Sequence, residues 1–173
     1  IKDSGEIPAE PKISACAARL LSGDSLNMYV GVRVHQLVDE LMLKAPAADE
    51  YESVVRASPV AALDEAGRRA AEVLLRPENR ALLQPLFKAG VKNLPELRVW
   101  GLSSDGRRLL NGVIDGVLVD KADITVLEYK TLFKSSAAQV ALGEKQKDRY
   151  VMMLDRIKGG RGIKGEVIGI KAG

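Results

Sequence analysis

The chain has 173 residues, of which 46% are apolar, with one cysteine and a formal net charge of +3. That is enough to bury a core, and one domain is the expectation; no apolar run reaches the roughly 18 residues of a membrane-spanning helix. The lone Cys16 excludes an internal disulfide framework and a four-cysteine iron–sulfur cluster supplied by this chain alone, and it fits a reducing compartment.

No G-x-x-x-x-G-K-[ST] pattern occurs, so no Walker-type nucleotide site lies in this chain. Residues 121–173 carry 11 Lys and Arg against 6 Asp and Glu, leaving 15 against 17 in residues 1–120. The basic character is therefore concentrated in the C-terminal third. Charge alone reads there as a solvated lysine-rich helix face, and a phosphate-binding face would look the same.

In chain order, residues 1–12 are charged, Pro-bearing and unlike a signal peptide; they read as a flexible lead-in to a single domain over 13–173. The chain starts at Ile1, which suits a processed product or an excised domain. A first helical region is expected over Ser14–Ser22, interrupted at Gly23-Asp24. Over Gly31–Lys44, Val34, Leu37, Val38, Leu41 and Met42 follow i, i+3, i+4, i+7, i+8 and predict an amphipathic helix, ended by Ala45-Pro46. A second helix is expected over 60–75, entered through Ser58-Pro59, and a shorter one over Glu78–Lys88. The period then changes to that of strands at 94–102, 107–119 and 124–130, linked by turns at Ser103–Gly106 and Asp120–Asp123. A helix over 135–158, with a weak point at Gly143, and a strand over 163–171 close the chain. The fold class expected is α/β, of α+β-like character: a mixed central sheet of about four strands flanked by helices, the last strand parallel to a neighbour.

Charged residues interrupt the two apolar strands around the Asp120–Asp123 turn. Strict alternation sets Val113, Asp115, Val117 and Val119 on one face and Ile114, Gly116 and Leu118 on the other. A buried, unpaired carboxylate costs several kcal/mol, so Asp115 must pair, bind a cation or lie at a rim; a salt bridge to Lys130 or a shifted register would also account for it. On the next strand Glu128 and Lys130 share a face, opposite Tyr129. If the two strands pair, positions 115 and 128 are neighbours, and two carboxylates so close call for a cation, for which Mg²⁺ is the natural choice.

The pattern Asp115-x12-Glu128-x-Lys130 within G-V-I-D…V-L-E-Y-K-T resembles the PD-(D/E)XK nuclease superfamily, and more narrowly its RecB-like branch: the nuclease domains of RecB and AddA helicase–nucleases and stand-alone relatives. Three more segments match in order. Gly31-Val-Arg-Val-His35-Gln-Leu37 is similar to the G-x-x-x-H helix motif, Pro95-Glu96-Leu97 to the acidic opening of the first core strand, and Gln146-Lys-Asp-Arg-Tyr150 to the Q-x-x-x-Y helix motif. Together they span roughly residues 28–171. The resemblance implies a restriction-endonuclease-like core. It implies Mg²⁺ or Mn²⁺ held by His35, Asp115, Glu128 and the Tyr129 backbone carbonyl, with Glu96 as an outer or second-metal carboxylate. Asp115, Glu128 and Lys130 would be catalytic, and Gln146 and Tyr150, with Lys145, Lys147 and Arg149 near them, would contact DNA. The activity implied is metal-dependent phosphodiester hydrolysis of DNA ends or single strands, leaving a 5′-phosphate and a 3′-hydroxyl. The setting implied is recombination or repair, with a helicase domain or subunit as a compatible partner. The compartment would then be the cytoplasm beside the nucleoid, or another reducing space that holds DNA.

The chain departs from the branch pattern at Ile114, Val32, Gly116 and Glu128, none of which removes a ligand. Two other readings stand beside the nuclease: a catalytically weak module that binds and guides DNA in a larger complex, and a non-nuclease α+β protein whose charged strand ends form a structural salt bridge. Only 4% of residues are aromatic, which argues against extended base stacking.

Overall fold

The computed structural model describes residues 23–87, 90–103, 105–133 and 137–173. The lead-in expected at 1–12 and the helix expected at Ser14–Ser22 lie outside the described residues. Helix α1 runs over Gly23–Lys44, so Gly23-Asp24 opens a helix where an interruption was expected. Its predicted stripe of Val34, Leu37, Val38, Leu41 and Met42 is fully buried. The chain leaves α1 through Ala45, whose φ of 42° ends the helical path ahead of Pro46. Helix α2, Tyr51–Arg56, is too short for a periodic signal and is unforeseen; it is anchored by buried Tyr51 and Val55.

The single helix expected over 60–75 is two, α3 Pro59–Leu63 and α4 Glu65–Leu75. Asp64 breaks it. Its backbone is extended, and its carboxylate caps the N–H of Gly67 at 2.7 Å while pairing with Arg33 of α1 at 2.9 Å. An aspartate that caps a helix end and neutralises a buried guanidinium is worth more there than inside a continuous helix. Helix α5, Pro77–Leu83, passes into a 3₁₀ turn at Gln84–Leu86. Asn79 of α5 ties this layer to the last strand: its amide donates to the carbonyls of Val73 and Lys171 and accepts from the Lys171 N–H.

Strands β1 (Lys92–Leu102), β2 (Leu109–Val119), β3 (Asp123–Leu132) and β4 (Gly162–Lys171) form one sheet in the order β1-β2-β3-β4. The first three are antiparallel; β4 lies parallel to β3 after the crossover helix α6, Ala137–Asp155. This is the expected mixed sheet flanked by helices. Helix α6 runs through Gly143 without a break. Leu127, Tyr129, Ile168 and Ile170 bury against the α1–α5 side, and Val99, Ile114, Val117 and Val126 bury with Tyr150, Met153 and Leu154 of α6.

Two irregularities position the site. Pairing of β1 with β2 includes Pro95↔Gly116 and Leu97↔Ile114 but omits Glu96 and Asp115, and Glu96 has a φ of 48°. Pairing of β2 with β3 stops at Gly116↔Leu127, whereas β3 and β4 stay paired to Leu132↔Lys171. Strands β2 and β3 therefore part at Asp115 and Glu128. The strict alternation expected for β2 fails at the same point. Ile114 and Val117, three residues apart, bury in one cluster, while Val113 is 44% exposed. A left-handed residue in the neighbouring strand and the loss of the β3 partner together turn the backbone there.

Candidate active site

Where β2 leaves β3, the backbone N–H of Tyr129 has no strand carbonyl to meet and donates instead to Oδ2 of Asp115 at 2.7 Å. Oδ1 of Asp115 lies 3.7 Å from Nδ1 of His35 on α1. The His35 ring meets Tyr129 edge-on, with centroids 6.0 Å apart. Burial, and then the Lys130 ammonium, hold the His35 pKa below its ordinary value against the pull of Glu128, Glu96 and the Tyr129 backbone. His35 is therefore neutral at pH 7, with a lone pair to offer.

Glu128 is 3% exposed. Its Oε1 accepts from Nζ of Lys130 at 2.8 Å, and its Oε2 is buried with no hydrogen-bond partner. Lys130 also donates to Oε1 of Gln146 on α6 at 2.8 Å. The ion pair of Lys130 is thus with Glu128, not with Asp115. Burial raises the pKa of Glu128; the Lys130 hydrogen bond opposes this and the Asp115 charge adds to it. Burial also raises the pKa of Asp115, against the Tyr129 N–H and Lys130.

Glu96 stands in register opposite Asp115 without pairing to it, and its charge is felt at His35, Asp39 and Asp115. Asp39 escaped sequence reasoning. Burial, then Glu96 and Asp115, push its carboxyl up to about 7. The signal available was its spacing: Asp39 is four residues beyond His35, on the same face of one helix. Beneath the site, the Tyr129 hydroxyl reaches Sδ of Met42 at 3.2 Å. A Cβ on residue 116 would come within 2.9 Å of both Met42 and that hydroxyl. Packing of α1 thus accounts for Gly116, where the resemblance leads one to expect a larger residue.

The α6 residues divide. Gln146 fixes Lys130. Tyr150 is 7% exposed and packs so closely on Gly112 that a Cβ there would lie 2.6 Å from the ring. Its pKa is raised by burial first, then by Glu128 and Asp115, against Arg149 and the Val113 backbone. Lys147 pairs with Glu144 and Asp148, Lys158 with Asp155, and Lys164 with Glu166, so each of these lysines is neutralised by a carboxylate close to it in the chain. Lys145 is exposed, and Arg149 crosses to the Asn111 carbonyl at 2.8 Å on the edge that β3 has vacated. A cleft of about 470 Å³ lies away from all these residues, lined by Asn27, Val30, Arg68, Arg69, Arg76 and Phe133 among others.

No family model matches this chain, and a search of the curated proteins finds no match.

Among the described residues no three His, Cys, Asp or Glu side chains converge as a ready-made metal cage. The donor types nevertheless fit a hard divalent cation. A buried carboxylate with an unpartnered oxygen, Glu128, and a half-buried one, Asp115, both with raised pKa values, stand near a neutral imidazole, and the Tyr129 backbone interacts with that imidazole. Oxygen and imidazole donors of this kind suit Mg²⁺ or Mn²⁺. No helix among the described residues is long and apolar enough to cross a membrane.

Proposed function

We propose that this chain is a metal-dependent nuclease acting on DNA, of the PD-(D/E)XK kind and its RecB-like branch. The observation that carries the reading is Glu128, a carboxylate 3% exposed whose Oε2 has no partner while its other oxygen is held by Lys130. A buried ion pair serving only the fold would be expected to satisfy both oxygens. His35, Asp115, Glu128 and the Tyr129 carbonyl would hold Mg²⁺ or Mn²⁺, with Glu96 and Asp39 at the margin of the set. Such an ion, when bound, supplies charge neutralisation at the phosphate and lowers the pKa of a bound water.

The remaining work falls to the chain. The ammonium of Lys130, fixed by Glu128 and Gln146, would meet the negative charge that builds on the phosphate. His35 stays neutral and keeps its lone pair free. Tyr150, buried against Gly112, holds α6 on β2. The test is digestion of 5′- and 3′-labelled single- and double-stranded DNA in Mg²⁺, Mn²⁺ or EDTA, beside Lys130→Ala. Cleavage that survives EDTA, or is undiminished in the variant, overturns the reading.

A second reading, a DNA-guiding module without cleavage, draws support from the Lys130 ammonium occupying one oxygen of Glu128. Binding of DNA with no cleavage in either metal would favour it.

A further inference from the structure

The outer half of the β1–β2 hairpin has one covered face and one bare face. On the covered face, Gly101 lies against Met153 and Gly112 against Tyr150 of α6, and Val99 and Ile114 are buried. The alternate residues point away from α6. Trp100 is 66% exposed, Leu102 46%, Leu109 73% and Val113 44%, and Arg98 is exposed beside them. The register gathers them, with Arg98 opposite Val113, Trp100 opposite Asn111 and Leu102 opposite Leu109. Exposed apolar residues scattered singly need no explanation, but four adjacent ones on paired strands mark a binding surface.

The charge around this strip is mainly basic, with the exposed Asp105 as the carboxylate of its turn. Arg98, Arg107 and Arg108 are exposed and make no ion pair among the described residues. Asp105, in the same hairpin turn, is engaged by the Ser103 hydroxyl and the Arg107 N–H. The strip runs directly into the site: Trp100 and Glu96 share β1, four residues apart, or about 13 Å along an extended strand. Trp100 is also the only tryptophan of the chain.

We propose that this face is a docking strip for single-stranded DNA entering the site. A base stacks on the Trp100 indole, the apolar side chains of Leu102, Leu109 and Val113 cover neighbouring sugar and base surface, and Arg98, Arg107 and Arg108 take the phosphates. The proposal rests on the nuclease reading and deepens it by naming the unpaired strand as substrate, because only an unstacked base can offer its face to an indole. A second copy of this chain would satisfy the apolar residues but would set like-charged arginines against one another, whereas a polyanion satisfies both features.

The test uses the full chain in EDTA, titrated with an oligothymidylate of about 15 nucleotides, which spans a site of the usual size. The expected result is quenching of tryptophan emission on binding. Trp100→Ala should weaken binding roughly 5- to 100-fold, and the double reversal Arg107→Glu/Arg108→Glu should weaken it and flatten its salt dependence. Circular dichroism confirms that these surface variants fold. Binding with unchanged emission and an unchanged affinity in Trp100→Ala overturns the strip, as does Trp100-dependent self-association by sedimentation without quenching. Cleavage in Mg²⁺ or Mn²⁺ is measured in parallel. Quenching without cleavage keeps the strip and removes the nuclease reading; cleavage without quenching does the reverse.

Discussion

Asp115 accepts the backbone N–H of Tyr129 at 2.7 Å across the point where β2 and β3 stop pairing. The carboxylate stands in for the strand carbonyl that the parting removes, so one side chain both caps the sheet and presents its other oxygen toward His35. Asp115→Asn keeps an acceptor for that N–H. It should fold as the wild type does and lose cleavage by at least about a hundredfold. Asp115→Ala leaves the N–H unmet and should cost about 1–3 kcal/mol in addition. Urea unfolding beside a cleavage assay separates the two effects.

The Glu128–Lys130 pair predicts a recoverable stability loss. Lys130→Met strands a buried carboxylate and should destabilise the metal-free chain by about 3–5 kcal/mol. Adding Glu128→Gln should return most of that stability but none of the cleavage. If the double variant regains cleavage, neither residue acts in the chemistry.

Acid should stabilise the metal-free chain. Asp39 holds its proton up to about pH 7 when folded but ionises near its ordinary value of 3.8 when unfolded. Between those values the folded state binds the extra proton, so stability falls as pH rises from about 4 through 7 and levels off above. Asp115 and Glu128, also raised by burial, act in the same direction. After discounting for solvent at a partly exposed group, Asp39 should account for about 1–2 kcal/mol. Asp39→Asn should flatten the pH profile of thermal unfolding by that amount; an unchanged profile would show that Asp39 is not the group titrating.

Mg²⁺ or Mn²⁺ should raise the melting temperature, and more at pH 8 than at pH 6, because ligand carboxylates must lose protons to bind. At a hundred times Kd the gain is about 2.7 kcal/mol. Glu128→Gln should abolish it, and calorimetry with the metal alone checks this without reference to cleavage.

Packing at the site should be intolerant. A side chain added at Gly116 drives into Met42 and the Tyr129 hydroxyl, so Gly116→Val should cost about 1–3 kcal/mol or more. Denaturant midpoints give the value directly.

Much of this architecture is legible locally. The α1 stripe, the two hairpin turns and the crossover helix before a last strand follow from periodicity and turn chemistry, and the structure keeps each within a few residues. Asp64 was not legible as a break, because its reason is a buried arginine on another helix. Tyr150 was not legible as a buried residue, because its slot exists only where Gly112 faces α6. The bare strip around Trp100 was equally hidden, since alternation says which residues share a face but not which face a helix will cover.

The sequence by itself determined the strands and the longer helices, the mixed four-stranded sheet and the grouping of His35, Asp115, Glu128 and Lys130 as one candidate constellation, because these rest on local pattern and motif order. Only the tertiary structure decided that β2 and β3 part at Asp115, that Lys130 pairs with Glu128, that Glu128 keeps one oxygen unpartnered, and that Asp39 joins Glu96 and Asp115. Those outcomes depend on the backbone turning through the left-handed Glu96 and on α1 packing against the sheet, which are contacts between residues far apart in the chain.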